Sequence, residues 1–152
     1  MTAIVLVNPE IPHNTGAVGR TWVALDIELV LIHPLGFEIS DKHVRRTGLD
    51  YWQYVRLAEF ASWDEFVAER APRRDQLFLF EDHGARSFDE PEYPDDAYLV
   101  FGRETKGLPQ TIAAPLADRL FRLPMRSRHI RSLNLSNTVA VAAYRALRGR
   151  LT

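Results

Sequence analysis

Five short apolar runs punctuate the chain, at Ile4–Val7, Glu28–Ile32, Leu77–Phe80, Tyr98–Phe101 and Leu120–Leu123. Each is too brief to be the core of a helix, and none shows the strict in–out alternation of a strand with one wet face. Such strands need cover on both sides. The segments between them supply it. Thr15–Leu25 carries Val18, Trp22 and Leu25 at helical spacing. Asp41–Arg46 predicts a short helix, and Trp63–Arg70 a further one with Phe66 and Val67 inward, stopped by Pro72. Leu135–Leu147 is periodic in Leu135, Val139, Ala142, Ala143, Ala146 and Leu147, with Gly149 as its stop. Its small residues predict close packing on the sheet or on a second subunit. Strands alternating with helices specify an α/β fold, a mostly parallel sheet covered by helices on both sides.

At 152 residues the expectation is one domain over 1–152, large enough to hold a core without disulfide or metal staples. There is no cysteine, which removes thiolate metal sites and cysteine nucleophiles. The run Ala3–Val7 is too short for a signal-peptide core, and no stretch has the length of a membrane span, so a soluble, cytoplasmic protein with no membrane partner is expected.

Charge is unevenly placed. Net charge is −1, yet all 20 acids precede Arg119, while residues 119–152 hold eight arginines and no acid. The tail therefore carries +8 and residues 1–118, with eleven basic side chains, carry −9. Seventeen of the 19 basic residues are Arg, whose planar fork pairs bidentately with phosphate. Codon preference explains an excess of Arg over Lys, but it does not explain why the acids vanish from the tail. Residues 81–96 hold seven acids and two prolines and read as a solvated connection with no assigned function.

In an open α/β sheet, ligands lie beyond the carboxyl ends of the strands, and three post-strand loops stand out. In residues 8–20 (NPEIPHNTGAVGR), Asn14 or Thr15 is placed to cap a helix bearing Gly16 and, on the same face, Arg20. That combination suits a phosphate, or else is an ordinary capped helix with a surface Arg; neither dinucleotide nor P-loop glycine spacing is present. In residues 99–109 (LVFGRETKGLP), Gly102 and Gly107 bracket Glu104. Such a loop wraps a small ligand with its amides, or simply needs Gly for its dihedrals. In residues 123–137 (LPMRSRHIRSLNLSN), Ser132, Asn134, Ser136 and Asn137 crowd a helix start where one cap would suffice. His13, His33, His43, His83 and His129 show no metal-ligand spacing with each other, and no metal is expected.

Taken together, in this order, the three loops resemble the three motifs of the SpoU branch of the SPOUT methyltransferases, a likeness that spans nearly the whole chain. Residues 33–52 (HPLGFEISDKHVRRTGLDYW) further resemble the subgroup of minimal tRNA wobble-position 2′-O-methyltransferases. The resemblance implies a C-terminal trefoil knot, which no argument from periodicity would choose. It also implies S-adenosylmethionine as cofactor, tRNA as partner, and a homodimer whose active site is completed across two copies. Functional positions of the family fall on Asn14, Arg20, Glu104, Ser132 and Asn134. The cofactor cradle falls on Phe80, Gly102, Glu104, Gly107, Leu123, Ser132 and Leu133. Arg20, Arg126, Arg128 and Arg131 are expected to meet RNA. The implied reaction methylates the ribose 2′-hydroxyl of the wobble nucleotide, C or modified U. The family assigns Arg20 the role of base; a guanidinium keeps its proton far above neutral pH, so gripping a phosphate and stabilising a developing oxyanion suit it better.

Alternatives are a relative acting on another tRNA or rRNA position, a non-catalytic RNA-binding relative, and a phosphate-handling enzyme of another kind. All five catalytic positions keep the expected residue type, against the non-catalytic reading. The adjacent acid pairs lie in or beside residues 81–96, against Mg²⁺-dependent phosphate chemistry.

Overall fold

The computed structural model describes residues 1–38 and 52–152, so the helix expected at Asp41–Arg46 lies outside the described residues. Strands β1 (Ala3–Val7), β2 (Glu28–Ile32), β3 (Arg56–Phe60), β4 (Leu77–Phe80), β5 (Arg86–Ser87), β6 (Tyr98–Phe101) and β7 (Leu120–Arg122) form one sheet. Its order is β3-β2-β1-β6-β4-β7-β5, and every strand pairing is parallel. Among the described residues four α-helices accompany it: α1 (Pro12–Leu25), α2 (Trp63–Arg70), α3 (Gln110–Ala113) and α4 (Leu135–Ala146).

Successive strand side chains point to opposite faces, and the five buried residues of β1 divide accordingly. Ile4 and Leu6 join Val18 and Trp22 of α1 and Val139, Ala142 and Ala143 of α4. Ala3, Val5 and Val7 join Phe66 of α2 and Ile112 and Ala113 of α3. Both faces are therefore covered, as the continuous apolar runs require. Phe66 is fully buried and meets the rings of Phe60, Trp63 and Tyr98 at 5.2–5.5 Å, a cluster whose loss on truncation to Ala would cost about 3–5 kcal/mol.

Local corrections have physical causes. Helix α1 starts at Pro12, not at Thr15: proline at the first helical position forfeits an N–H that has no partner there anyway. Ile11 is the cap residue without a side-chain bond, so Asn14 and Thr15 are buried inside the helix and cap nothing. Val67 is 38% exposed and faces outward, unlike Phe66. Strand β3 escaped the sequence reading because its polar Arg56 and Glu59 break the apolar run; it is an edge strand with an exposed face. Ala142, Ala143 and Ala146 pack on this chain's own sheet, which leaves Val141 and Tyr144 as the exposed apolar residues of α4.

Residues 81–96 are more than a solvated connection. Arg86–Ser87 adds β5 to the sheet beside β7, and Tyr93 is buried with its ring 4.4 Å from that of Phe78. The acids there also meet the basic tail: Asp89 takes a hydrogen bond from Arg145 Nε at 2.6 Å, and Asp95 pairs with Arg150.

Candidate functional site

Strand β6 lies between β1 and β4, so the sheet changes winding direction beside β1, where α/β folds open a ligand crevice. A cleft of about 570 Å³ lies beyond the carboxyl ends of β4, β6 and β7. Asn14, Phe80, Gly102, Glu104, Gly107 and Leu123 all line it, as do Arg131, Ser132, Leu133 and Asn134. Arg20, Arg126 and Arg128 do not line it; all three are exposed.

A polar chain ties the three loops together. Glu104 Oε2 accepts a hydrogen bond from the Glu10 amide at 2.9 Å, and Oε1 accepts from the Ile11 amide at 3.2 Å and from Asn14 Nδ2 at 3.4 Å. Asn14 Oδ1 in turn accepts from Asn134 Nδ2 at 3.1 Å, and Asn134 Oδ1 accepts from the Ser136 amide at 2.9 Å and its hydroxyl at 2.5 Å. Asn134 is thus both the cap of α4 and a link to α1. Asn14 enters this chain because the early helix start at Pro12 leaves it buried, 5% exposed. The Glu104 carboxylate is oriented by donors of the first loop, a role its place between two glycines did not suggest. Glu10, missed by the sequence reading, returns the contact: its Oε1 accepts from the Thr105 hydroxyl at 2.7 Å and amide at 3.3 Å. The Thr105 hydroxyl, with its amide, holds the Glu10 carboxyl below the usual carboxylate range.

The second loop folds back on its strand. A Cβ on Gly102 would sit 2.1 Å from the Gly107 carbonyl carbon and 2.2 Å from the Leu108 nitrogen, so only glycine permits this approach. Gly107 has φ +66° and donates its amide to Arg103 O at 2.9 Å. Behind it stands Glu81, the first residue after β4, whose Oε1 accepts from the Leu108 amide at 2.5 Å. Burial pushes the Glu81 carboxyl above the usual range, against the opposing effect of that bond. Its only sequence signal is its place at the end of a buried strand. Among the described residues, Glu81, Asp82 and His83 form the one group of acids and histidine whose ligand atoms lie within 4.8 Å of one another. Glu81 is already committed to Leu108, and His83 to Asp82 at 3.2 Å.

Under these polar walls Phe80 and Phe101 stack with centroids 4.7 Å apart and planes 10° from parallel. Above them the basic loop is exposed at Arg126, Arg128 and Arg131. Four other arginines of the tail serve the fold. Arg119 donates to Leu77 O at 2.8 Å and lies over the Phe78 ring, Arg122 donates to Gly84 O at 2.9 Å, and Arg145 and Arg150 pair with acids.

Residues 1–144 match the SpoU rRNA Methylase family. A tRNA (cytidine(34)-2′-O)-methyltransferase of Polaromonas sp. is 45% identical over 150 residues, covering 97% of this chain and 90% of that protein. A solved structure concerned with the 2-OH methylation of C/U34 on tRNA is 42% identical, with a TM-score of 0.90, over 97% of this chain and 95% of that one. The fold is shared more distantly by a SpoU methyltransferase of Streptomyces viridochromogenes solved in complex with AdoMet. That protein is 22% identical with a TM-score of 0.86, the match covering 99% of this chain and 58% of that one.

Proposed function

The chain belongs to the SpoU rRNA Methylase family, and from that premise we propose that it methylates the ribose 2′-hydroxyl of the wobble nucleotide, C or modified U, in the tRNA anticodon loop. The observation that carries the reading is the hydrogen-bonded chain from Glu104 through Asn14 and Asn134 to Ser136, which joins all three loops along one cleft. The cleft fits S-adenosylmethionine. Its volume of about 570 Å³ is within the range of small-molecule sites. Stacked Phe80 and Phe101, with Leu123 and Leu133, offer apolar walls, and Gly102 and Gly107 bring main chain to its edge. When bound, the cofactor supplies an activated methyl group on a sulfonium, which needs no metal to make it electrophilic.

The chain's own residues do the positioning. Glu104 holds the turn before α1, Asn14 and Asn134 fix the relation of the first and third loops, and Ser132 presents a hydroxyl at the cleft edge. Holding the reacting atoms in line supplies much of the acceleration in a transfer of this kind. Arg20 grips the phosphate beside the reacting ribose and stabilises the oxygen as negative charge develops on it. Because Arg20 lies outside its own chain's cleft, a homodimer with the site completed by a second copy accommodates this role. The exposed Val141 and Tyr144 of α4 offer apolar surface for that association. The same reading includes a single methyltransferase domain, a C-terminal trefoil knot and action in the cytoplasm. No described helix is long and apolar enough to cross a membrane.

The test is mass analysis of anticodon-loop nucleosides from cells lacking the gene, which should show the wobble 2′-O-methyl group missing and restored by the purified protein with S-adenosylmethionine. Calorimetry in chelator should show cofactor binding undiminished. Light scattering at micromolar concentration should give twice the chain mass; a fully active monomer would defeat the shared site.

A further inference from the structure

Arg103 is the first residue after the Gly102 turn, and its side chain lines the cleft. An antiparallel bridge to Gly107 fixes its backbone. Its Nε is shut off from solvent and has no hydrogen-bond partner among the described residues. A donor shut off from solvent and left unmatched is costly to a folded chain, while Arg103 as a whole is half-buried. None of the nearby carboxylates hydrogen-bonds its Nε, although Glu10 lies close enough to feel the Arg103 charge. Glu104 is engaged by Glu10, Ile11 and Asn14, Glu10 by Thr105, and Glu81 by Leu108. Lys106, from the same loop, adds a second cation to the cleft lining and is itself exposed.

We infer that Arg103 binds an anionic oxygen group, a carboxylate or phosphate, of a ligand held in this cleft. Arg103 is half-buried and lines the cleft, so the terminal nitrogens of its fork can meet two oxygens of such a group in parallel, and their positive charge favours an anion over a neutral acceptor. The inference rests on the reading of the cleft as the methyl-transfer site. That reading offers two sources of the anion: the amino-acid carboxylate of S-adenosylmethionine, and a phosphate flanking the reacting ribose.

The experiment compares wild type, Arg103→Ala and Arg103→Gln by calorimetry with S-adenosylmethionine and with decarboxylated S-adenosylmethionine, and by tRNA binding from 50 to 200 mM salt. If the carboxylate is the partner, wild type favours the intact cofactor by about tenfold or more, and both variants lose that preference. If a phosphate is the partner, cofactor binding is unchanged in the variants. Their tRNA affinity then falls about tenfold, and the slope of log affinity against log salt is shallower by about one. A folded variant that binds cofactor and tRNA as wild type does overturns the inference. Arg103→Gln keeps most of the side chain's bulk and serves if Arg103→Ala does not fold. Failure of wild type to bind S-adenosylmethionine at all would instead strike the methyl-transfer reading.

Discussion

Glu10 and Glu104, 94 positions apart, each brace the other's loop: Glu104 Oε2 takes the Glu10 amide at 2.9 Å, and Glu10 Oε1 takes the amide and hydroxyl of Thr105, the residue after Glu104. The first and second loops are thereby locked to one another at the entrance to α1, the helix that bears Arg20.

Glu104→Ala removes the acceptor for two amides and for Asn14 Nδ2. Stability should fall by about 1–3 kcal/mol, the usual effect of leaving such donors unmatched. Urea unfolding measures it: the midpoint should drop with little change in slope. A midpoint equal to wild type would mean that these bonds contribute nothing net.

Gly102→Ala forces a methyl group into the main chain of Gly107 and Leu108, at 2.1 and 2.2 Å. Because the neighbour is backbone and not a flexible side chain, the whole 103–107 turn must shift. Cofactor affinity should fall at least about tenfold, with destabilisation of about 1–3 kcal/mol, as for other overpacked sites. Retained affinity in calorimetry would show that the turn is not part of the cofactor's seat.

Glu81 predicts a pH dependence. Its carboxyl is pushed up by burial, so between the ordinary carboxylate range and the raised value the folded state binds more protons than the unfolded one. Stability contributed at this site therefore declines as pH rises through that window and is level above it. Glu81→Gln keeps an acceptor for the Leu108 amide and removes the titration. The difference in urea midpoint between variant and wild type should thus shift in the variant's favour from pH 4 upward and then flatten. Parallel pH profiles would contradict the assignment.

Arg20→Ala should abolish methyl transfer while cofactor affinity stays at the wild-type value, since Arg20 lies outside the cleft lining of its own chain. Arg20→Lys keeps the charge and loses the fork, and should retain part of the activity with an unchanged pH profile. A displaced alkaline limb in the Lys variant would return the base role to this residue.

The tail arginines should separate into two classes. Charge reversal at Arg126 and Arg128, both exposed, should weaken tRNA binding and flatten its salt dependence. Arg145→Ala, which frees Asp89 and the carbonyls of Asp89 and Pro91, should lower the urea midpoint and leave the salt slope alone. Equal effects of both changes on the slope would erase the distinction.

Much of this was legible in the sequence because it is local. A run such as Ile4–Val7 announces a doubly covered strand by composition alone, and the Gly102–Gly107 spacing announces a tight return after β6. What stayed hidden depends on distant partners. Nothing near Glu10 in the chain signals Thr105, and nothing in the acidic stretch signals that Asp89 and Asp95 serve Arg145 and Arg150. The position of the α1 start turned on one choice, proline at the first helical position over a polar cap three residues on, and that choice decided whether Asn14 capped a helix or joined the site.

Gly102 gives the cleft a floor of bare peptide, where the end of β6 touches its own returning loop with no side chain between them. A wall made of side chains is retuned by changing a residue; a wall made of main chain offers nothing to change. Only the parts of the lining that carry side chains, such as Phe80, Phe101, Leu133 and Arg131, can be reshaped by substitution, while the contact at Gly102 fixes the path of the loop itself.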